Sequence, residues 1–338
     1  RPAGFWLPDM AVDQETLDVL AECDVEFTLL SPEQISSRLM EGAGPYRVRT
    51  RDKRASNGAP SHGDSIAVFV RDRVLSDKVS FELNWLGGAG MFAARYLAPR
   101  PDDSKLLLIA SDGETYGHYH PGEETFVRQL VRQEAMLAGY QVVPLAGFLR
   151  DHPPRGQVEV VSPSSWSCAQ GVERWQRECE CARPAAWKEP LRSALTRLAD
   201  SIDAIYEREA RAAGIDPWRV RDGFAQVLLH RSVGPVYLAE HLPHALTRGA
   251  QDRVLMLLSA QIFRLAMFTS QTFFGTEFGS REMRYAISNA ARAVMFVAEA
   301  TGEDLSADLR HDLARATDQH GEHTTTEIYT EILEAHAA

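Results

Sequence analysis

Short apolar stretches alternate with amphipathic stretches along the chain until about residue 162. Each apolar stretch has the length of a strand and is bounded by polar or turn-forming residues. These candidate strands cover residues 5–7, 26–30, 66–70, 106–110, 141–145 and 158–161. Residues with helical spacing lie between them, at 13–22, 78–97 and 123–138. This alternation predicts a parallel sheet with helices packed outside it.

Only helical periodicity remains after residue 185. One candidate helix has apolar residues at gaps of 4, 3, 4 and 3, which predicts one packed face: Leu191, Leu195, Leu198, Ile202 and Ile205. Residues 254–268 are apolar on nearly all sides, so we expect them at the centre of a bundle. The pattern therefore predicts an α/β domain over residues 1–165, followed by an α-helical bundle over residues 166–338.

The most informative polar segment is SDGETYGHYH, residues 111–120. It follows the candidate strand at 106–110 and precedes a helix signal that begins at Pro121. The segment places four titratable residues in one strand-to-helix loop: Asp112, Glu114, His118 and His120. Because ligands bind at the carboxyl ends of strands in α/β folds, we expect the functional site here.

The first apolar stretch ends in a similar way. Pro8 interrupts the strand, Asp9 follows it, and a helix is predicted over residues 13–22. Asp9 and Asp112 should therefore project from the same rim of the sheet. Such a pair can cleave a glycosidic bond: one acid protonates the leaving oxygen, and the other attacks the sugar from about 5 Å away in a retaining enzyme.

Four segments resemble glycoside hydrolase family 57, which contains α-glucan-active amylases, branching enzymes and 4-α-glucanotransferases. They are GFWLPDMAV (4–12), FVRDRVLSDKVSF (69–81), SDGETYGHYH (111–120) and SSWSCAQGVERW (164–175). Further segments resemble a bacterial branch of this family with a C-terminal domain of unknown function, DUF3536: PYRV (45–48), PLR-x-AL (190–195) and MFTS…FF (267–274). The resemblance implies an incomplete (β/α)7-type barrel whose first strands are missing from this N-terminally truncated chain.

Catalytic roles are carried over from the family residue by residue. Asp112 matches the general acid/base, and Asp9 stands at the nucleophile in a W-L-x-E pattern, where the family has Glu. The lost methylene withdraws the carboxylate by roughly 1.5 Å, and a misplacement near 1 Å can cost on the order of 100-fold in rate. The resemblance implies a retaining glycoside hydrolase or transglycosylase acting on α-glucan, without cofactor or metal.

Further side chains are candidates for substrate binding around this pair. They are Trp6, Arg71, Asp72, Glu114, His118, His120, Trp166 and Trp175. Most of them have a structural alternative. Arg71 and Asp72 can form a surface ion pair, Trp166 and Trp175 can serve packing, and Glu114 can orient its neighbours through hydrogen bonds. Each histidine, taken singly, can be a polar residue with its hydrogen bonds satisfied.

The amino-acid composition limits the kinds of molecule that the protein is expected to bind. The 338 residues are 44% hydrophobic and 25% charged, with a net charge of −11, which argues against nucleic acid as the main partner. No uninterrupted apolar run approaches the roughly 18 residues of a membrane span. The expected partner is an oligo- or polysaccharide. The chain begins with Arg, which we interpret as a start within a longer protein, and the cytoplasm is its expected location.

Two other functions compete with this interpretation. Asp112, His118 and His120 are suitable ligands for a divalent metal, as in carbohydrate deacetylases or mannosidases with incomplete barrels. Alternatively, Asp at position 9 and Gln170, where the related branch often carries His, point to a glucan-binding protein without catalysis.

The cysteines form a separate group. Cys168, Cys179 and Cys181 lie within fourteen residues, while Cys23 stands apart on a predicted helix. The C-x10-C-x-C spacing matches no common zinc motif. We favour reduced thiols, or one pair able to form a disulfide, over a bound metal. The polar stretch 42–64 is predicted to be a mobile loop.

Overall fold

A computed structural model describes residues 2–37, 42–51, 65–97, 106–230, 233–242 and 246–337. The chain divides into two compact units, Arg1–Val172 and Glu173–Ala338. We call them the α/β unit and the helical unit. The division lies a few residues beyond the predicted boundary between residues 165 and 166.

The α/β unit contains one five-stranded sheet in its described part, with the order β1-β2-β4-β3-β5. The strands are β1 (Gly4–Phe5), β2 (Phe27–Leu30), β3 (Tyr46–Arg49), β4 (Ser65–Val70) and β5 (Gly156–Gln157). β1 and β4 pair in parallel with β2, β3 pairs antiparallel with β4, and β5 pairs in parallel with β3. An α/β architecture with a mostly parallel sheet is therefore confirmed, and the incomplete barrel stays a prediction.

Three of the expected strand assignments are wrong. Residues 106–110 belong to no strand: the Leu108 carbonyl accepts from the amide of Asp72, just beyond β4, at 2.7 Å, and the Ala110 amide donates to the side-chain Oγ of Ser76 at 3.0 Å. Residues 141–144 are also unpaired, and a helix starts at Leu145 directly after Pro144. Of residues 158–161, only Val160 forms an isolated bridge, to Ile35.

The stretch predicted to be a mobile loop contains a strand. β3 alternates buried Tyr46 and Val48 with exposed Arg47 and Arg49, the pattern of a half-buried strand. The remainder of that prediction, residues 52–64, lies outside the described residues.

The α/β unit contains the helices α1 (Gln14–Glu22), α2 (Arg73–Phe81), α3 (Gly88–Tyr96), α4 (Glu124–Gln129), α5 (Ala135–Leu137) and α6 (Leu145–Asp151) in its described part. Residues of α1 and α6 share the core of the sheet, whereas residues of α2, α3 and α4 form a second apolar cluster. α1 begins where expected, because the Asp13 side chain accepts from the Thr16 amide at 2.7 Å. The single helix predicted over 78–97 is divided, since Gly87 adopts a left-handed φ of 73° between α2 and α3. A π-helical turn, Leu130–Glu134, connects α4 to α5.

The described part of the helical unit contains nine helices. They are α7 (Lys188–Ala212), α8 (Pro217–Gly223), α9 (Ala225–Leu229), α10 (Gly234–His241), α11 (Arg248–Ala266), α12 (Ser270–Phe274), α13 (Arg281–Thr301), α14 (Ser306–Leu313) and α15 (Thr325–Ala337). The predicted apolar face of α7 is buried along its whole length, against residues of α11, α13 and α14.

Residues 254–268 lie in the core of the helical unit, where α11 contacts α13 and α7. Val254, Leu257 and Leu258 are buried, whereas Leu265 is 54% exposed, so the stretch is not enclosed on every side. The stretch Arg248–Phe274 is long and apolar enough to cross a membrane, with a mean hydropathy of 1.3 in its most apolar window. Ser259, Gln261 and Arg264 interrupt this stretch, so it is not an uninterrupted apolar run, and the core helix of a globular protein passes the same test.

Candidate active site

Asp9 lies in a single helical turn just after β1. Leu7 before it and Met10 after it are buried, which fixes the turn to the core. Asp9 and Met10 both adopt left-handed backbone conformations, with φ of 53° and 49°. Among residues other than glycine, Asp is one of the few that is enriched in this region. The backbone at position 9 therefore suits an aspartate.

The segment Trp166–Ser167 holds Asp9 from a distant part of the chain. The Trp166 amide donates to the Asp9 carbonyl at 3.2 Å, and Ser167 Oγ donates to Asp9 Oδ1 at 3.0 Å. Both the backbone and the carboxylate of Asp9 are thus oriented.

Asp112 is partly buried at the start of the loop 111–120. Its carbonyl accepts from the Thr115 amide at 3.2 Å, in a short helical turn. Burial raises the pKa of Asp112 above its ordinary value, the charges of Asp9 and Glu114 raise it further, and the charge of Arg71 opposes them. Asp9 and Asp112 are therefore close enough for their charges to interact.

Arg71 follows the end of β4 and is 3% exposed. Its Nε donates to Ser31 Oγ at 2.9 Å, and its Nη1 lies 2.9 Å from Asp77 Oδ1. Glu33 Oε1 lies 3.9 Å from Nη2. Arg71 is thus a buried cation with several partners, whereas the sequence allowed a simple surface ion pair.

Trp166 packs over this cation. Its ring centroid lies 5.0 Å from the Arg71 guanidinium carbon, a cation–π distance, and Phe81 stacks on the same indole at 5.9 Å. The Trp166 Nε1 donor is buried and makes no hydrogen bond to any residue that the structure describes. Trp166 therefore links the Arg71 cluster to the turn that holds Asp9.

Asp72 has a structural role at the start of α2. Its Oδ1 accepts from the Leu75 amide at 3.0 Å, which caps the helix. The Asp72 amide donates to the Leu108 carbonyl at 2.7 Å, so this residue also positions the segment that leads to Asp112.

The two histidines lie farther along the loop 111–120, on its exposed side. His118 is exposed, its ring 5.0 Å from that of Tyr119, and His120 is partly buried. Among the described residues, the groups of side chains close enough to share a metal ion do not include Asp112 with these histidines. Glu114 is exposed near Asp112.

The two remaining tryptophan candidates lie in different units. Trp6 is 37% exposed beside the Asp9 turn. Trp175 belongs to the helical unit, where its ring packs against Phe274 at 6.1 Å and its carbonyl accepts from Arg192 Nη1 at 3.1 Å. Its contacts within that unit are those of a packing residue.

A second group with metal-ligand chemistry lies in the helical unit. Ligand atoms of Asp318, Glu322 and His323 lie within 4.8 Å of one another. Asp318 Oδ1 accepts from the amides of His320 and Glu322, and His323 Nδ1 lies 3.1 Å from Glu327 Oε2. These bonds account for the loop conformation without a ligand.

The family follows from comparison of the sequence. Residues 1–161 match the sequence model of glycosyl hydrolase family 57, and residues 184–337 match that of a domain of unknown function, DUF3536. The first part of the chain is therefore similar to glycoside hydrolase family 57, and the second part to DUF3536. The resemblance drawn from the sequence segments is confirmed. No curated protein is similar enough in sequence to match the chain.

Solved structures of glucan-active enzymes have a similar fold. An exo-type maltose-forming amylase from Pyrococcus sp. ST04 matches with a TM-score of 0.68 and 15% identity, over 98% of this chain and 64% of that one. A branching enzyme from the hyperthermophilic archaeon Pyrococcus horikoshii matches with a TM-score of 0.51 and 14% identity, over 99% of this chain and 61% of that one. The chain thus spans less than two thirds of the length of either enzyme.

Sequence reasoning missed two residues of the family 57-like site. Ser167 was not singled out, although it stands in the segment SSWSCAQGVERW that carries the resemblance. Phe81 was placed inside a predicted helix, yet it is 60% exposed and stacks on Trp166. An exposed aromatic at the end of an amphipathic helix is the signal that could have indicated it.

Proposed function

We propose that this chain contributes the catalytic pair of a retaining glycoside hydrolase or transglycosylase that acts on α-glucan. Its family and fold support carbohydrate chemistry. The observation that carries the proposal is the electrostatic interaction between two carboxylates with different surroundings. Asp112 is partly buried, and Asp9, whose charge raises the pKa of Asp112, is held by Ser167.

Asp112 acts as the general acid/base in this proposal. A raised pKa keeps a larger share of the carboxyl protonated as the pH approaches neutrality, and a proton donor must carry its proton. Once Asp9 is consumed in a covalent bond, its negative charge is gone, and the pKa of Asp112 falls. Asp112 can then accept a proton from the incoming water or acceptor hydroxyl.

Asp9 acts as the nucleophile. Its carboxylate, oriented by Ser167, attacks the anomeric carbon and forms a glycosyl–Asp9 ester as the C–O bond to the leaving group breaks. The leaving oxygen takes its proton from Asp112. The left-handed backbone at Asp9 supports the view that an aspartate, one methylene shorter than glutamate, is built into this turn.

Arg71 positions the pair without reacting. Its buried charge lowers the pKa of Asp112, which offsets part of the effect of Asp9 and Glu114. Trp6 offers an exposed indole face beside Asp9 for stacking on a sugar ring.

The proposal is tested by comparing the activity of each variant on two substrates whose leaving groups differ in their need for protonation. Asp112→Asn should lower turnover of maltooligosaccharides on the order of 100- to 10,000-fold. Its kcat/KM for a nitrophenyl glucoside should fall far less, because this parameter reports the transfer of the sugar to Asp9 and nitrophenolate leaves without protonation. Asp9→Asn should lose both activities, since both substrates need the nucleophile.

Asp151→Asn is the matched control, because Asp151 lies in the same unit with its side chain 70% exposed. It should leave both activities unchanged. Full maltooligosaccharide turnover by Asp112→Asn, in whole protein carrying this chain and active before substitution, would overturn the proposal.

A further inference from the structure

Cys179 and Cys181 lie shortly before α7 in the sequence, and the turn that contains them brings their sulfur atoms close together. Cys179 Sγ and Cys181 Sγ lie 3.1 Å apart in the helical unit. A disulfide bond is about 2.05 Å long, so the two sulfurs need to approach by only about 1 Å to bond. Cys179 is buried, whereas Cys181 is partly exposed.

Hydrogen bonds fix the backbone that carries both thiols. The Ala182 amide donates to the Cys179 carbonyl at 3.0 Å, which closes a four-residue turn with Cys181 inside it. Arg174 Nη2 donates to the Cys181 carbonyl at 2.7 Å, and the Ala185 amide donates to Glu178 Oε2 at 2.6 Å. The backbone is thus held on both sides of the two cysteines, so little conformational freedom has to be lost when the disulfide bond forms.

We propose that Cys179 and Cys181 form a reversible thiol–disulfide site that exchanges with small disulfides of the glutathione type. The difference in exposure sets the order of events. The Cys181 thiolate, which is the more accessible, attacks one sulfur of the small disulfide and releases one small thiol. The Cys179 thiolate then attacks Cys181 Sγ and displaces the second small thiol.

Electrons and protons balance in this exchange. The two cysteine thiols lose two electrons and two protons, and the small disulfide takes them up as two small thiols. A bond that spans a single intervening residue, Glu180, closes a tight ring, and strained disulfides are the more readily reduced ones. An excess of the reduced small thiol should therefore open the bond again.

Peptide mapping after equilibration tests the proposal directly. The full chain is incubated over a range of oxidised-to-reduced glutathione ratios, quenched with acid, alkylated and digested with trypsin. Cleavage after Arg177 and Lys188, with none at Arg183 before Pro184, releases peptide 178–188 with both cysteines of the pair. Cys168 and Cys23 fall on other peptides.

The expected result is that peptide 178–188 loses both alkyl groups together under oxidising ratios and has two hydrogens fewer than its dithiol form. Reduced glutathione should restore both alkylation sites. Cys179→Ser should stop at a glutathione adduct on Cys181, because the resolving thiol is absent. Cys23→Ser, which alters a cysteine of the other unit, should leave the result unchanged.

Three outcomes would overturn the proposal: full alkylation of the peptide at the most oxidising ratio, a lasting glutathione adduct on wild-type Cys181, or a disulfide that joins either cysteine to Cys168. The wild-type map decides between these outcomes and the expected one even if the Cys179→Ser variant does not fold. Because the readout involves no glucan, it is independent of the proposed activity.

Discussion

Two carboxyl groups, Asp312 of the helical unit and Asp112 of the α/β unit, have opposite electrostatic surroundings. In the helical unit, Asp312 Oδ2 accepts from Arg197 Nε at 2.6 Å, and this hydrogen bond lowers the pKa of Asp312. In the α/β unit, burial raises the pKa of Asp112, and the neighbouring charges of Asp9 and Glu114 add to the effect. The first arrangement stabilises the charged form of a side chain, and the second opposes it.

A carboxylate whose pKa is lowered by an ion pair stabilises the fold, whereas a carboxyl group whose pKa is raised is a candidate for catalysis. The helical unit also pairs Asp203 with Arg264 at 2.6 Å and with Gln261 at 2.9 Å. Around Asp112, the nearby cation Arg71 is already engaged by Ser31, Asp77 and Glu33. A carboxyl group whose surroundings destabilise the charged form, and so raise its pKa, is typical of functional sites.

The largest stability effect is expected from the core of the helical unit. Leu195→Ala removes a fully buried side chain from the apolar face of α7, and such substitutions cost about 2–5 kcal/mol. Urea unfolding followed by circular dichroism should show this loss. Thr196→Ala, one residue along on the exposed side, should change stability by less than about 0.5 kcal/mol. Equal effects of the two variants would contradict the role assigned to this face.

Periodic elements could be predicted from the sequence because one face of each is buried. The apolar face of α7, the start of α1 at Asp13 and the strands β2 and β4 follow directly from residue spacing. Residues 106–110 have the same apolar composition as a strand, but the Asp72 amide and the Ser76 hydroxyl take their hydrogen bonds. A local pattern carries no information about which distant group pairs with the backbone.

The same limit applies to the candidate site. Asp112 and Asp9 could be proposed from strand ends and motif resemblance. The Ser167–Asp9 hydrogen bond joins residues 158 positions apart, so no spacing rule could reveal it. The burial of Arg71 was likewise hidden, because its hydrogen-bond and ion-pair partners come from two separate segments, one with Ser31 and Glu33 and the other with Asp77.

The next largest expected effect is on kcat, and it tests the hydrogen bond from Ser167 that orients the Asp9 carboxylate. Ser167→Ala removes the hydroxyl that orients the carboxylate, and we expect kcat to fall about 10- to 100-fold through misplacement of the nucleophile. KM should change little, because Ser167 lies against Asp9 and is not assigned a sugar contact. Steady-state kinetics on maltooligosaccharides measures the split. Ser167→Thr, which keeps the hydroxyl, should recover part of the loss, and an unaltered kcat in Ser167→Ala would remove this residue from the site.

A smaller effect concerns the pH profile. The charge of Glu114 raises the pKa of Asp112, so Glu114→Gln should lower that pKa. Because the general acid must be protonated, the alkaline limb of the kcat/KM profile should move to lower pH, by a fraction of a pH unit for an exposed neighbour. Glu123→Gln, farther along the same segment, serves as the control. A shift to higher pH would contradict the assignment of Asp112 as the acid.

The smallest expected effects are changes in thermal stability when Asp112 and Asp312 are each replaced by Asn. The folded-state pKa of Asp112 is raised, so its ionisation destabilises the fold as the pH rises through that value. Asp112→Asn should therefore raise Tm slightly near pH 7, with the gain vanishing below the ordinary carboxyl pKa. The pKa of Asp312 is lowered, so its contribution is present above the ordinary carboxyl pKa and is lost as the pH falls through the lowered value. Asp312→Asn should lower stability at pH 7 by less than about 1 kcal/mol, as for other ion pairs near the surface. Thermal unfolding of both variants at pH 7 and pH 3 measures the contrast, and shifts of the same sign at pH 7 would show that the two carboxylates do not differ as described.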